Sequence, residues 1–136
     1  MVDDDAFMRA TLNHWCFGAD DSGDIRRPHN IRAVWAEVRR RCAAAGVPGA
    51  MLVTADGAID TSMVPAAQEL VNASLHFTEI VAALGMLAPG GALVWKGFTL
   101  FEHTSLCTLH LVGCLFESVS VCKPCTSKVR RGFDGS

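Results

Sequence analysis

Two short apolar runs, Ala50-Met-Leu-Val-Thr-Ala55 and Ala92-Leu-Val-Trp95, flank a long stretch with helical periodicity. No other feature restricts the fold as much. Short apolar runs closed by turn signals read as buried strands. Between them Leu70, Val71, Phe77, Ile80, Val81, Leu84 and Leu87 recur at helical spacing over about residues 65–87, and Pro65 suits the first turn. Strand, helix, strand is the crossover that joins parallel strands. Pro89-Gly90-Gly91 turns the backbone between the helix and the second strand.

The flanking elements extend the pattern. Ile31, Val34, Trp35, Val38, Cys42 and Ala45 share one face of a helix over residues 31–45, which Gly46 and Pro48 end. Residues 3–13 read as a short helix carrying Phe7, Met8 and Leu12. Downstream, a helix over about 104–116 carries Leu106, Leu109, Val112, Leu115 and Phe116, and Ser118 to Cys122 alternates as a third strand. The order predicts an α/β fold with a doubly wound, mostly parallel sheet. Three strands are few for that architecture, and no Gly-rich strand-to-helix turn of the cofactor-cradling kind occurs. The first half of the sheet is expected to be missing.

Composition narrows the function classes. Half of the 136 residues are apolar, enough for one core. A net charge of −2 and a pI near 6.2 exclude a global basic field of the nucleic-acid-coating kind. The acidic start, Met1-Val-Asp-Asp-Asp5, and the lack of a long apolar run predict a soluble chain with neither secretory leader nor membrane span. Six cysteines, mostly in apolar stretches, fit small hydrophobes in a reducing compartment better than a disulfide framework.

Candidate chemistry gathers at strand ends. The second strand delivers Lys96 at its carboxyl end, and the first closes on Asp56-Gly57. In open α/β sheets ligands bind outside the carboxyl ends of the strands. A snorkelling surface lysine and an ordinary Asp-Gly turn are the plainer alternatives. Cys122-Lys-Pro-Cys125 has the spacing of a thioredoxin-like redox pair, but no helical pattern follows it. His103, Cys107, His110 and Cys114 share one helical face. Spread over about 16 Å of helix, they cannot hold one zinc ion, and a core-facing or half-buried stripe is expected. The loop Gly18-Ala-Asp-Asp-Ser-Gly23-Asp24 lacks the glycine position and closing glutamate of a calcium loop. No metal site is predicted.

Together these residues resemble the FtsJ-like ribose 2′-O-methyltransferases, most of all the Adrift-type domain of the cap-specific mRNA 2′-O-methyltransferase 2 family. The resemblance is carried by Thr11-Leu-Asn-His-Trp15, Phe17-Gly18, Gly23-Asp24-Ile25, Leu52-Val-Thr-Ala-Asp56-Gly57 and Ser74-Leu-His76. It continues through Leu87-Ala-Pro-Gly-Gly91, Lys96-Gly-Phe98-Thr, Phe101-Glu-His103, Lys123-Pro124 and Thr126-Ser-Lys128. It implies a Rossmann-like domain that uses S-adenosyl-L-methionine to methylate the ribose of the second transcribed nucleotide of capped mRNA, in nucleus or cytoplasm. Asp56 and Lys96 match two members of the family's Lys-Asp-Lys-Glu tetrad, with Lys96 as general base and Asp56 orienting it and meeting the cofactor. Asp24 matches the acidic contact to the cofactor's adenosine. Lys123, Ser127 and Lys128 are implied to lie near the RNA.

Two departures qualify the resemblance. The Gly-rich cofactor loop and first tetrad lysine fall upstream of residue 1, and no glutamate follows Lys128, Asp134 being a poor substitute. Residues 1–128 therefore read as the C-terminal part of the domain, and 129–136 as a divergent, disordered tail. Weak or absent activity of the chain alone is expected. The alternative functions are a catalytically incomplete module that binds RNA or a partner and, more remotely, a Cys122–Cys125 redox protein.

Overall fold

The computed structural model describes residues 5–124. In chain order it contains α1 (Asp5–Ala10), a 3-10 turn (Leu12–His14), α2 (Pro28–Ala44), β1 (Ala50–Ala55), a 3-10 turn (Pro65–Ala67), α3 (Gln68–Met86), β2 (Leu87–Trp95) and α4 (His103–Leu115). Strands β1 and β2 pair in parallel, with α3 as the crossover between them.

Pairing of Val53 with Leu93, Thr54 with Val94 and Ala55 with Trp95 brings both carboxyl ends out at one level. Further back the ladder is irregular. Ala50 pairs with Leu87 and Leu52 with Ala92, so β2 spends five steps where β1 spends two. The excess is the Pro89-Gly90-Gly91 segment, with Gly90 at φ +78°, a backbone conformation that glycine reaches without steric cost. The expected turn is thus a bulge inside β2, which already begins at Leu87.

The sheet alternates inward and outward. Val53, Ala55, Leu93 and Trp95 are half-buried, whereas Leu52, Thr54, Ala92 and Val94 are exposed on the opposite face. This corrects the expectation of strands buried on both faces, because among the described residues helices cover only one. Helix α3 packs against β1 and β2, and α2 and α4 pack against α3. Trp35 of α2 donates its indole N–H to Ala82 O at 2.8 Å and fills the space over Gly85.

Helix α3 departs most from the expected pattern. Leu70 and Phe77, assigned to the core by periodicity, are exposed, while Glu69, Asn72, His76, Glu79, Ile80 and Ala83 are buried. The buried stripe is polar because it faces the loops beyond the strands, whose amide groups need acceptors. Asn72 accepts from Ile59 N at 2.7 Å, and Glu79 from Gly57 N at 2.6 Å.

Two further expectations are corrected. Residues Ser118 to Cys122 form no strand, so among the described residues the sheet has two strands. Val119 and Val121 stay exposed, since among the described residues no neighbouring strand offers them a ladder. The stripe of His103, Cys107, His110 and Cys114 is exposed rather than core-facing, because α4 docks on α3 through Ser105 and Val112. Cys107 and Cys114 each contact the histidine one turn earlier, and among the described residues no group of three or more ligands could hold a metal ion. No described helix is long and apolar enough to cross a membrane.

Candidate active site

Asp56 and Lys96 are the first residues beyond β1 and β2. The Ala55–Trp95 pairing places them side by side, and Lys96 N extends the ladder by donating to Ala55 O at 2.9 Å. Their side chains meet there, with Lys96 Nζ 2.6 Å from Asp56 Oδ1. Both are about two thirds exposed, 63% and 67%. An amine and a carboxylate in direct contact, open to solvent on a rigid sheet edge, can receive a substrate hydroxyl and its proton.

A buried polar layer lies beneath the pair. Glu79 from α3 is 6% exposed and accepts the Gly57 amide. Burial pushes its carboxyl group above the ordinary range, the Gly57 amide and the Trp95 indole oppose that rise, and the Asp56 charge adds to it. His76, one turn earlier, is buried against the edge of Trp95 and near Phe98. Burial lowers its imidazole from the ordinary value, with the Glu69 charge opposing.

The loop after Lys96 is tied to α3 by Glu69. Its carboxylate accepts from the Thr99 hydroxyl, from Phe101 N at 3.2 Å and from Glu102 N at 2.9 Å, immediately before α4. Burial alone would raise this group. The Ser105 and Thr99 hydroxyls and the two amides outweigh it and hold the carboxyl down to about 2. Beyond Asp56 a wide groove is lined by Ala58, Ile59, Asp60, Thr61, Gln68 and Phe98.

Asp24 stands on a separate loop, organised by buried Asn30. The Asn30 carbonyl accepts from Ala19 N and Asp20 N, and its amide donates to Asp20, Ser22 and Asp24 O. The Asp24 carboxylate is gripped by Arg26 at 2.9 and 3.0 Å, which holds it low, at about 2. It is fully ionised near neutrality, and a ligand hydroxyl would share it with Arg26. Lys123 is exposed on the coil after α4, and Ser127, Lys128 and Cys125 lie outside the described residues. Cys122 is a free, exposed thiol.

The site is therefore assembled from residues of two kinds. Asp56 and Lys96 were expected from their strand-end positions. Glu69, His76 and Glu79 were not, since a charged or polar residue inside an apolar helix pattern carries no sign of whether it faces solvent or a buried amide, and Trp95 read only as an apolar strand residue.

A parallel crossover with an Asp–Lys pair at its carboxyl edge belongs to the α/β enzymes that bind ligands beyond strand ends. The family model of FtsJ-like methyltransferases matches residues 6–131, and the chain belongs to that family. It is 41% identical over 128 residues to the mouse (Mus musculus) cap-specific mRNA (nucleoside-2'-O-)-methyltransferase 2, covering 94% of this chain and 16% of the relative. Against the Drosophila melanogaster protein of the same name identity is 39% over 128 residues, 94% of this chain and 18% of the relative. Mouse cap-specific mRNA (nucleoside-2'-O-)-methyltransferase 1 is 35% identical over 111 residues, 82% of this chain and 13% of the relative. The chain thus spans less than a fifth of the length of these relatives. FtsJ-like methyltransferases generally use S-adenosylmethionine.

Proposed function

We propose that this chain takes part in S-adenosylmethionine-dependent 2′-O-methylation of the ribose of the second transcribed nucleotide of capped mRNA, in the nucleus or cytoplasm. The observation that carries the reading is the 2.6 Å contact between Lys96 Nζ and Asp56 Oδ1 at the carboxyl ends of adjacent parallel strands. Residues 1–128 supply the C-terminal part of the catalytic domain in this reading.

The residues present fit the cofactor's polar groups. Asp24, an ionised carboxylate, would take hydroxyls of its adenosine, and Asp56 stands open beside the groove that begins at Ala58. When bound, S-adenosylmethionine supplies an activated methyl group. Lys96 Nζ, as the free amine, would take the proton of the ribose 2′-hydroxyl as the methyl passes to that oxygen and its bond to the cofactor's sulfur breaks, and Asp56 would hold the amine in line. Lys123, with Ser127 and Lys128, contacts RNA phosphates, which position substrate without reading sequence.

Capped RNA incubated with the full-length protein and isotopically labelled cofactor is expected to gain label at the second nucleotide, read by nuclease digestion and mass spectrometry. Lys96→Ala should abolish transfer, a fall of at least about a hundredfold, while cofactor binding measured by calorimetry persists. Full turnover in Lys96→Ala would remove the general-base role. A binding module without catalysis is the second reading, favoured by the uncovered sheet face at Leu52 and Val94. Wild-type protein that gives no heat with S-adenosylmethionine but retains RNA would establish it.

A further inference from the structure

The Asp56–Lys96 pair cannot hold itself in place. An exposed ion pair contributes little, and ordering a lysine side chain costs rotamer entropy at least as large. Something rigid beneath must set where the two groups meet.

Glu79 occupies that place. It reaches from α3 to the ends of both strands, and its Oε1 accepts the amide of Gly57, the residue after Asp56, at 2.6 Å. On the other strand the indole of Trp95, the residue before Lys96, opposes the rise that burial imposes on the Glu79 carboxyl group. Neither Trp95 Nε1 nor Glu79 Oε2 completes a hydrogen bond, and both atoms are buried. The indole also packs against His76 in a T-shaped contact, with ring centroids 5.4 Å apart. Gly57 leaves no spare room, because a Cβ there would stand 2.6 Å from Glu79 Oε1. A buried carboxylate on a helix stripe is unfavourable for folding, so its place under the pair calls for a role beyond packing.

We propose that Glu79 is a positioning residue, whose carboxylate clamps the Asp56–Gly57 backbone and abuts Trp95, fixing the distance between Asp56 and Lys96. The proposal rests on the reading of those two residues as the proton-handling pair. Glu79 touches neither substrate nor cofactor. It acts through the two strand ends.

The test uses the full-length protein and two independent readouts. In methyl transfer to capped RNA, Glu79→Ala is expected to lower kcat about tenfold to a hundredfold, the scale of a misplaced reacting group, with KM for RNA and cofactor unchanged. Glu79→Gln keeps an oxygen for the Gly57 amide and should recover most of the loss. Gly57→Ala, which drives a methyl group into the carboxylate, should reproduce the kcat defect, and adding it to Glu79→Ala should cost little more.

The second readout needs no activity. Limited acetylation with acetic anhydride, quantified on the Lys96 peptide by mass spectrometry, reports whether the amine is still held by Asp56. Lys96 should react faster in Glu79→Ala, approaching its rate in Asp56→Asn, and at the wild-type rate in Glu79→Gln. Unchanged kcat and unchanged Lys96 reactivity in Glu79→Ala overturn the proposal, as does a Glu79→Gln variant impaired as deeply as Glu79→Ala. Should Glu79→Ala fail to fold, Gly57→Ala decides by the same two measurements. Wild-type protein that transfers no methyl group refutes the proposed function, and the acetylation result still decides the role of Glu79.

Discussion

At the scale of single residues, the structure spends its buried polar groups on holding loops. Asn30 is 1% exposed and makes five hydrogen bonds to the Gly18–Asp24 segment, three as donor and two as acceptor. Gly18 sits against it at φ +87°, where an added Cβ would lie 2.4 Å from the Asn30 amide. Asn30→Ala is expected to cost about 2–3 kcal/mol, since several buried partners lose satisfaction together. Asn30→Asp should be no better, because it loses the donors and sets a charge beside Asp20. Urea midpoints of the three proteins check this, and an Asn30→Asp variant as stable as wild type would refute it. Nothing in the sequence marks Asn30. An asparagine in the first turn of a helix is ordinary, and only the fold brings residues 19, 20, 22 and 24 onto one side chain. Asp56 and Lys96 were legible for the opposite reason. A strand's length and direction follow from a local run, and whatever follows its last residue lies at its carboxyl end.

At the scale of elements, the helices and the two paired strands followed from local pattern, but the way α3 is turned did not. That helix carries apolar residues on every side, so periodicity could not choose between the stripe of Leu70, Phe77 and Leu84 and that of Glu69, Asn72, His76 and Glu79. Loop amides beyond the strands decided it, and those are tertiary partners. The third strand failed similarly, since alternation at Ser118–Cys122 cannot supply a neighbour to pair with. The α2–α3 contact gives an element-scale prediction at Gly85. In an open helix Gly→Ala gains about 1 kcal/mol of propensity. Here the new Cβ would lie 2.1 Å from the Trp35 ring, which is anchored by its bond to Ala82 O. Overpacking costs about 1–3 kcal/mol, and expulsion of the indole loses its hydrogen bond as well. Gly85→Ala is therefore expected to destabilise by about 2 kcal/mol, measured by denaturant unfolding. Pairing it with Trp35→Ala should recover part of the loss by opening the space, and a stabilised Gly85→Ala single variant would contradict this packing.

At the scale of the whole molecule, α3 carries two buried carboxylates whose effects on stability run in opposite directions with pH. Glu69 is held down to about 2 against an ordinary value of 4.5. Between those values the unfolded chain binds the extra proton, so the contribution of Glu69 is complete above about 4.5 and is lost as pH falls toward 2. Glu79 is raised above 4.5, principally by burial. Its folded form holds the proton longer than the unfolded form, so its contribution declines as pH rises through the window above 4.5. The residues differ because Glu69 gathers two hydroxyls and two amides, whereas Glu79 holds one amide and leaves Oε2 unpaired. Glu69→Gln should thus destabilise the protein by about 2–3 kcal/mol at pH 7, a difference that shrinks as pH approaches 2. Glu79→Gln should leave stability at pH 7 equal to or above that of wild type, with the gain vanishing at pH 4. Denaturant midpoints at pH 3, 4, 5 and 7 for the two variants and wild type test the pair together. Parallel losses at pH 7 in both would mean that the Glu79 carboxylate is as well solvated by its surroundings as that of Glu69. The unpaired oxygen beneath the Asp56–Lys96 pair would then carry no energetic cost.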